Sequence, residues 1–222
     1  MVITEDLGKM FEMAICLLYK TAYNGNYKYG LDGPNMILPK IQKLLEHFPA
    51  CTHTAEKGSR YDFTSSDGKF LSAKTTKGDK KVCPQVIGQP TRKTFCENFK
   101  LPEDSTNDSI KNYILENVST MMPKYFECTF DCDIIYYNRT IGTPLFIHTK
   151  SPIEWNDVVL SFSHIKKNKK WNESTTLYAT KNGTTQTIGE FQVHNHRNCI
   201  KFRWNFDNVL NMFPDNFDIT KF

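Results

Sequence analysis

The dipeptide Asp67-Gly68 stands between two short runs in which apolar and polar residues alternate. The runs cover residues 60–64 and 69–76, and each is short enough to be a single strand. An Asp-Gly pair between such runs is the strongest local signal for a tight antiparallel hairpin, because these residues accept the positive φ that the turn requires. The sequence therefore predicts a β-hairpin, and any fold of the chain must include it.

Polar side chains recur at every second position of the second strand of this hairpin. Successive side chains of a strand point to opposite faces, so Ser72 and Lys74 share one face. Pairing through the turn can bring Asp62 of the first strand beside them. We therefore expect a carboxylate, a hydroxyl and an ammonium group to converge on one patch.

Two interpretations of this patch stay open from spacing alone. It can be an ordinary charged surface of an exposed hairpin. It can also be a centre for phosphodiester hydrolysis, in which carboxylate oxygens hold a divalent cation and a nearby ammonium group stabilises the developing negative charge. In the second case Asp62 would hold the ion and Lys74 would supply the ammonium group.

The rest of the chain predicts a mixed arrangement of helices and strands. Helices are predicted at residues 5–20, 39–47, 108–117 and 207–213. Strands are predicted at residues 125–137, 144–148, 158–162, 175–180, 185–193 and 199–206. Loops rich in glycine, proline or lysine are predicted at residues 24–34 and 75–93. We expect an α/β (α+β) fold with a mixed central β-sheet flanked by helices.

Length and composition narrow the class of protein. A chain of 222 residues with 16 Phe and 10 Tyr can bury a hydrophobic core, and we expect one domain over residues 1–222. No apolar run approaches the roughly 20 residues of a membrane span, and acidic residues near the N-terminus do not suit a secretory signal. We therefore expect a cytoplasmic protein whose seven cysteines are free thiols.

The hairpin block resembles the signature of the PD-(D/E)XK nuclease superfamily. Asp62 stands at the position of the signature's aspartate, and Ser72-Ala73-Lys74 stands in place of the (D/E)XK triplet. Residues 8–15 include Glu12, which is similar to the metal-site glutamate that an N-terminal helix offers in that family. Residues 189–204 resemble the C-terminal strand pair of type II restriction endonucleases.

This resemblance implies a restriction-endonuclease-like fold and Mg²⁺-dependent hydrolysis of double-stranded DNA at a specific site. It implies that Asp62, Lys74, Ser72 and Glu12 are catalytic and that Asp62 and Glu12 bind the metal. The chain departs from the pattern at Ser72, which replaces the second acidic residue, so Asp67 is a fallback ligand. Cutting both strands at a palindromic site is most simply done by a two-fold homodimer, which we therefore expect.

A second cluster offers side chains that could contact DNA. Arg and Lys side chains form hydrogen bonds to the edge of guanine, and Asn and Gln side chains to the edge of adenine. The predicted base-contacting residues are Gln192, His194, Asn195, His196, Arg197, Lys201 and Arg203. The lysine-rich runs 77–81 and 166–170 are the predicted phosphate contacts, through Lys77, Lys166 and Lys169. Contacts to the DNA backbone position a protein without specifying sequence. An ordinary solvated polar turn is the alternative for this cluster.

Two other classes of protein remain possible from the sequence. The first is a protein that binds nucleic acid through the same basic strands without cutting it, and metal dependence would discriminate the two. The second is a secreted all-β interaction module, which the five Asn-x-Ser/Thr strings would suit. That module would contain disulfides, whereas an intracellular nuclease would contain free thiols.

Overall fold

The computed structural model describes residues 4–56, 59–78, 80–85 and 87–222. The α-helices are α1 (Thr4–Tyr19), α2 (Asp32–Ile37), α3 (Leu44–His47), α4 (Arg92–Phe99), α5 (Asn107–Phe130), α6 (Ser163–Lys166) and α7 (Phe206–Met212). Short 3-10 helices cover Leu38–Ile41, Trp155–Asp157 and Pro214–Asn216. The strands are β1 (Cys51–His53), β2 (Phe63–Ser65), β3 (Phe70–Thr76), β4 (Lys81–Val82), β5 (Asp133–Asn138), β6 (Pro144–Thr149), β7 (Val159–Phe162), β8 (Ser174–Lys181), β9 (Thr184–Val193), β10 (Ile200–Asn205) and β11 (Phe217–Lys221).

The chain forms two compact units, each built from separate segments. The first unit consists of Met1–Lys80, Cys132–Lys150 and Phe217–Phe222. The second unit consists of Lys81–Asp131 and Ser151–Asn216. Each unit contains one sheet. The expectation of one domain over the whole chain stays a prediction.

The first unit is built on a six-stranded sheet in the order β1-β2-β3-β5-β6-β11. The central pair β3–β5 is parallel and the other pairs are antiparallel, so the sheet is mixed. Helix α1 buries Phe11 and Ile15 in a core with Leu71, Ile135 and Phe146. The predicted α/β class, with a mixed sheet flanked by helices, is confirmed.

The second unit is built on an antiparallel sheet in the order β4-β10-β9-β8-β7. Ile200, Phe202 and Trp204 are buried at alternate positions of β10, as the period of two predicts. The ring of Phe202 lies 4.5 Å from that of Tyr125 on α5, and Trp204 Nε1 donates to Thr129 Oγ1 of the same helix at 2.9 Å. Helix α5 therefore covers the apolar face of this sheet.

The longest helix differs from the prediction. The helix predicted at residues 108–117 is too short, because α5 continues through Pro123 to Phe130. The strand predicted at residues 125–137 is consequently wrong in its first half, and β5 begins only at Asp133. The aromatic residues that suggested a strand are instead buried along the helix. Burial against the sheet decides their conformation over local propensity.

The predicted loops also contain structure. Helix α2 begins at Asp32, inside the loop predicted at residues 24–34. The loop predicted at residues 75–93 contains the end of β3, the short strand β4 and the first residues of α4. The helix predicted at residues 39–47 is divided between a 3-10 turn and α3. Short elements that are fixed by distant partners are the ones the local pattern misses.

The cysteines and the helix lengths bear on the class of protein. All seven cysteines are free, which confirms the expectation of free thiols. The mixed fold contradicts the all-β architecture of the alternative interaction module, and the free thiols contradict its disulfides. No helix in the described ranges is long and apolar enough to cross a membrane.

Candidate active site

The hairpin places Asp62 against the start of β3. Asp62 Oδ2 accepts a hydrogen bond from Ser72 Oγ at 2.8 Å and another from the backbone N–H of Ala73 at 2.8 Å. The backbone N–H of Asp62 donates to the carbonyl of Leu71 at 3.2 Å, which continues the pairing of the two strands. The structure therefore brings Asp62 and Ser72 together, and Ser72 is fully buried.

Lys74 lies two residues further along the same face of β3. Leu71 and Ala73 of this strand face the core beneath α1, so Ser72 and Lys74 point to the opposite face. The Lys74 side chain is half-buried, and its partner on the parallel strand β5 is Tyr136. The predicted common face of Ser72 and Lys74 is thus present.

Glu12 lies on α1 and is surrounded by hydrogen-bond donors. Its carboxylate is 3.1 Å from Lys9 Nζ, 3.1 Å from the Tyr23 hydroxyl and 3.4 Å from His53 Nε2. Burial would raise the pKa of Glu12, but the hydrogen bond from His53 and the charge of Lys9 outweigh it, so the pKa is lowered. Glu12 is therefore an ionised carboxylate at neutral pH.

His53 and Tyr23 are contributors that the sequence did not single out. The backbone N–H of Asn24 donates to His53 Nδ1 at 2.9 Å, so the neutral ring has its proton on Nε2, which lies 3.4 Å from Glu12 Oε2. The rings of Tyr23 and His53 are 4.4 Å apart. His53 pairs with Phe63, the residue that follows Asp62. No local motif indicates an isolated histidine of this kind.

The oxygens near the hairpin suit a hard divalent cation only in part. Within the described part of the chain, Asp62 Oδ1 has no hydrogen-bond partner, and ions such as Mg²⁺ prefer carboxylate oxygens. Asp67, the fallback ligand, is occupied at the turn by Ser65 Oγ and by Lys69 Nζ at 3.4 Å. Across the described ranges, no three His, Cys, Asp or Glu side chains are grouped to hold a metal.

The predicted DNA-contacting side chains of β9 and β10 lie on the polar face of the second sheet. Gln192 pairs with Lys201 and Glu190 pairs with Arg203 in the antiparallel register. Glu190 accepts from Gln192 Nε2 at 2.8 Å, from Arg203 Nη2 at 3.0 Å and from Lys81 Nζ at 2.5 Å. Glu190 was not predicted, and it orients Gln192 and Arg203, which were. Lys81 lies in the run 77–81, which was predicted to contact phosphates.

The β9–β10 loop and the two outlying lysines complete the predicted set. His194 Nδ1 is 3.7 Å from Glu173, and the backbone N–H of Asn195 donates to the same carboxylate at 2.9 Å. His196 and Arg197 are exposed at the tip of the loop. The predicted phosphate contacts differ in setting: Lys166 Nζ lies 4.4 Å from the centre of the Tyr178 ring, Lys169 is exposed, and Lys77 is half-buried.

Comparison with known proteins gives one strong similarity. No family model and no solved structure matches the chain. The chain is 47% identical over 219 residues to a protein named type II restriction enzyme CviAII, from Paramecium bursaria Chlorella virus 1. The alignment covers 98% of this chain and 63% of the relative, so the chain spans less than two thirds of the relative's length. Nearly every residue described above therefore lies within a region similar to a restriction enzyme.

Proposed function

We propose that this chain acts as a type II restriction endonuclease that hydrolyses phosphodiester bonds of double-stranded DNA at a specific, palindromic site. The observation that supports this most is the 47% identity to a type II restriction enzyme along 98% of the chain. The hairpin adds a carboxylate directly before β2, and a buried hydroxyl and an ammonium group on β3. These are the groups that metal-assisted phosphodiester hydrolysis needs.

Asp62 is the proposed metal ligand and Ser72 is the residue that positions it. The Ser72 hydroxyl and the Ala73 amide both donate to Oδ2, so neither of these two donors occupies Oδ1. A bound Mg²⁺ would polarise the phosphate and lower the pKa of the attacking water. Lys74 places its ammonium group on the same face of β3, where it stabilises negative charge that develops on the phosphate.

Glu12 is the proposed second carboxylate of the site. Its lowered pKa keeps it ionised, which a metal ligand requires. His53 Nδ1 is occupied by the Asn24 N–H, so the neutral ring has no free lone pair for a metal, and His53 serves as a neighbour of Glu12 and not as a ligand. Lys9 balances the formal charge of Glu12, but its side chain is 40% exposed, so solvent screens this ion pair.

Recognition of DNA is proposed for the second unit. Gln192 and Lys201 lie side by side on the polar face, where an amide and an ammonium group suit the edges of adenine and guanine. Arg203 is oriented by Glu190, which fixes the direction of its remaining donors. A two-fold homodimer would apply this surface to both halves of a palindrome.

The experiment that tests this proposal is cleavage of long unmethylated duplex DNA. The purified protein is incubated with and without Mg²⁺, beside Lys74→Ala and a matched control, Lys43→Ala, whose side chain is exposed on the first unit. Discrete bands that need Mg²⁺, persist in the control and disappear in Lys74→Ala are expected. Binding without cleavage, under conditions where the control and the wild type are folded, would favour the non-enzymatic nucleic-acid-binding protein.

A further inference from the structure

The second unit contains a polar cleft between the start of α4 and the β9–β10 loop. Its volume is about 470 Å³. The residues that line it are Arg92, Lys93, Glu103, Asn195, His196, Arg197 and Asn198. Only the loop residues 195–197 belong to the predicted DNA-contacting set, so the helix side of the cleft has no assigned role.

Hydrogen bonds hold both walls of the cleft in place. The backbone N–H of Arg92 donates to Asn198 Oδ1 at 3.0 Å, and the N–H of Ile200 donates to the Pro90 carbonyl at 3.0 Å. Asn107 Nδ2, at the start of α5, donates to the carbonyl of His194 at 3.2 Å. The loop is therefore fixed against two helices, and a ligand would not have to order it first.

The side chains of the cleft leave an excess of positive charge. Arg92 donates from Nη1 to the Ser105 carbonyl at 2.5 Å and from Nη2 to Asn107 Oδ1 at 2.6 Å, and both acceptors are neutral. Lys93 is 3.4 Å from Glu103, but both side chains are more than half exposed, so the pair is weak.

Arg197 adds a third cation at the loop tip. Its side chain is exposed and forms no hydrogen bond or ion pair within the described part of the chain. Three cationic side chains thus face one carboxylate in an open cleft. Such an arrangement attracts an anion, and both arginine and lysine side chains bind phosphate oxygens.

We infer that this cleft binds a phosphate of the DNA backbone through Lys93 and Arg197, with Arg92 as a fixed charge in its wall. The inference rests on the proposed function, because it takes duplex DNA as the ligand. It moves Arg197 from the residues that contact bases to those that position the duplex. The side chains on the polar face of the second sheet then make the base contacts.

The test measures the salt dependence of DNA binding. Several fluorescein-labelled duplexes of different sequence are titrated without divalent cation at several NaCl concentrations. The proteins are wild type, Lys93→Gln, Arg197→Gln and the control Lys43→Gln. Each phosphate contact contributes about 0.9 to the slope of log affinity against log salt. Each cleft variant should reduce the slope by about that amount, and Lys43→Gln should leave it unchanged.

The outcomes separate this inference from the proposed function. Unchanged slopes in both cleft variants, in a protein that still cuts DNA, would overturn the cleft assignment alone. Reduced slopes in a protein that does not cut DNA would support the phosphate site in the cleft and contradict the proposed nuclease function. A loss of affinity confined to one DNA sequence would show that Arg197 contacts a base and would also overturn the inference. Thermal unfolding of each variant confirms that these exposed substitutions leave the fold intact.

Discussion

Glu12 in the first unit and Glu190 in the second are both nearly buried carboxylates, yet their partners differ in charge. Glu12 is held by one lysine, a phenol and an imidazole. Glu190 is held by a lysine, an arginine and an amide. In both cases burial would raise the pKa and the donors more than offset it, so both pKa values are lowered.

The two sites differ in the net charge of the carboxylate and its charged partners. Lys9 balances the formal charge of Glu12, but the Lys9 side chain is 40% exposed and solvent weakens the pair, so the carboxylate can still attract a metal ion. Glu190 has two full cations, Lys81 and Arg203, so the three groups together carry one net positive charge, and Glu190 limits the positive charge of the sheet face. The same residue type therefore serves a proposed cation site in one unit and restrains a proposed DNA surface in the other.

The largest expected effect is at the hairpin, through Asp62→Asn. The asparagine carbonyl oxygen can still accept from Ser72 and Ala73, so the fold should survive. Loss of the charge removes the proposed metal ligand, and the cleavage rate should fall by about a thousandfold, equivalent to about 4 kcal/mol. Single-turnover cleavage and DNA binding are measured on the same preparation. Weakened binding with unchanged cleavage would reverse the assignment of chemistry to the first unit.

Glu12→Gln should lower both stability and its dependence on pH. A buried carboxylate held by charged and neutral donors contributes about 1–3 kcal/mol, which urea unfolding at pH 7 can measure. Because the folded pKa is lowered, this contribution is present above the ordinary value of 4.5 and is lost as the pH falls through the folded pKa. The difference between wild type and variant should therefore shrink in acid. A difference that grows as the pH falls would show that Glu12 is protonated in the folded state.

The smallest effect is expected from Glu190→Gln. Unlike the two substitutions above, it should increase the measured quantity, which is the affinity for DNA. Removing this charge releases Lys81 and Arg203 from compensation, so affinity for mixed-sequence DNA should rise. The salt slope should steepen by up to about 0.9, the value of one additional phosphate contact. Glu116→Gln, an exposed position on α5, is the matched control. Weaker DNA binding by Glu190→Gln would mean that Glu190 contributes to DNA affinity more by orienting Arg203 than it costs by offsetting the charge of Arg203.

The local sequence pattern was sufficient to predict the hairpin and most strands of the second unit. The Asp-Gly turn specifies the pairing that brings Asp62 to Ser72, and Gly68 adopts a φ of 81° at that turn. Helix α5 could not be delimited in the same way. Pro123 normally ends or bends a helix, and the aromatic residues after it favour strands, but burial against the second sheet overrides both preferences.

The surroundings of Glu12 could not be predicted because they come from distant segments. Tyr23 lies 11 residues along the chain from Glu12, and His53 reaches it through the pairing of β1 with β2. Strand β1 has only three residues, too few to show a period. Glu190 was missed for a related reason: the strand pattern gave its face, and only the folded register shows that it meets Arg203.

The order in which the segments of the first unit leave the ribosome constrains how that unit folds. Residues 81–131 of the second unit separate β3 from β5 in the sequence, and residues 151–216 separate β6 from β11. The parallel pair β3–β5 closes a loop that contains α4 and α5, and such non-local pairing is slow to form. Until residues 217–221 are synthesised, β6 presents an unpaired edge. The first unit therefore completes its sheet last, and its nascent edge is where self-association during synthesis would begin.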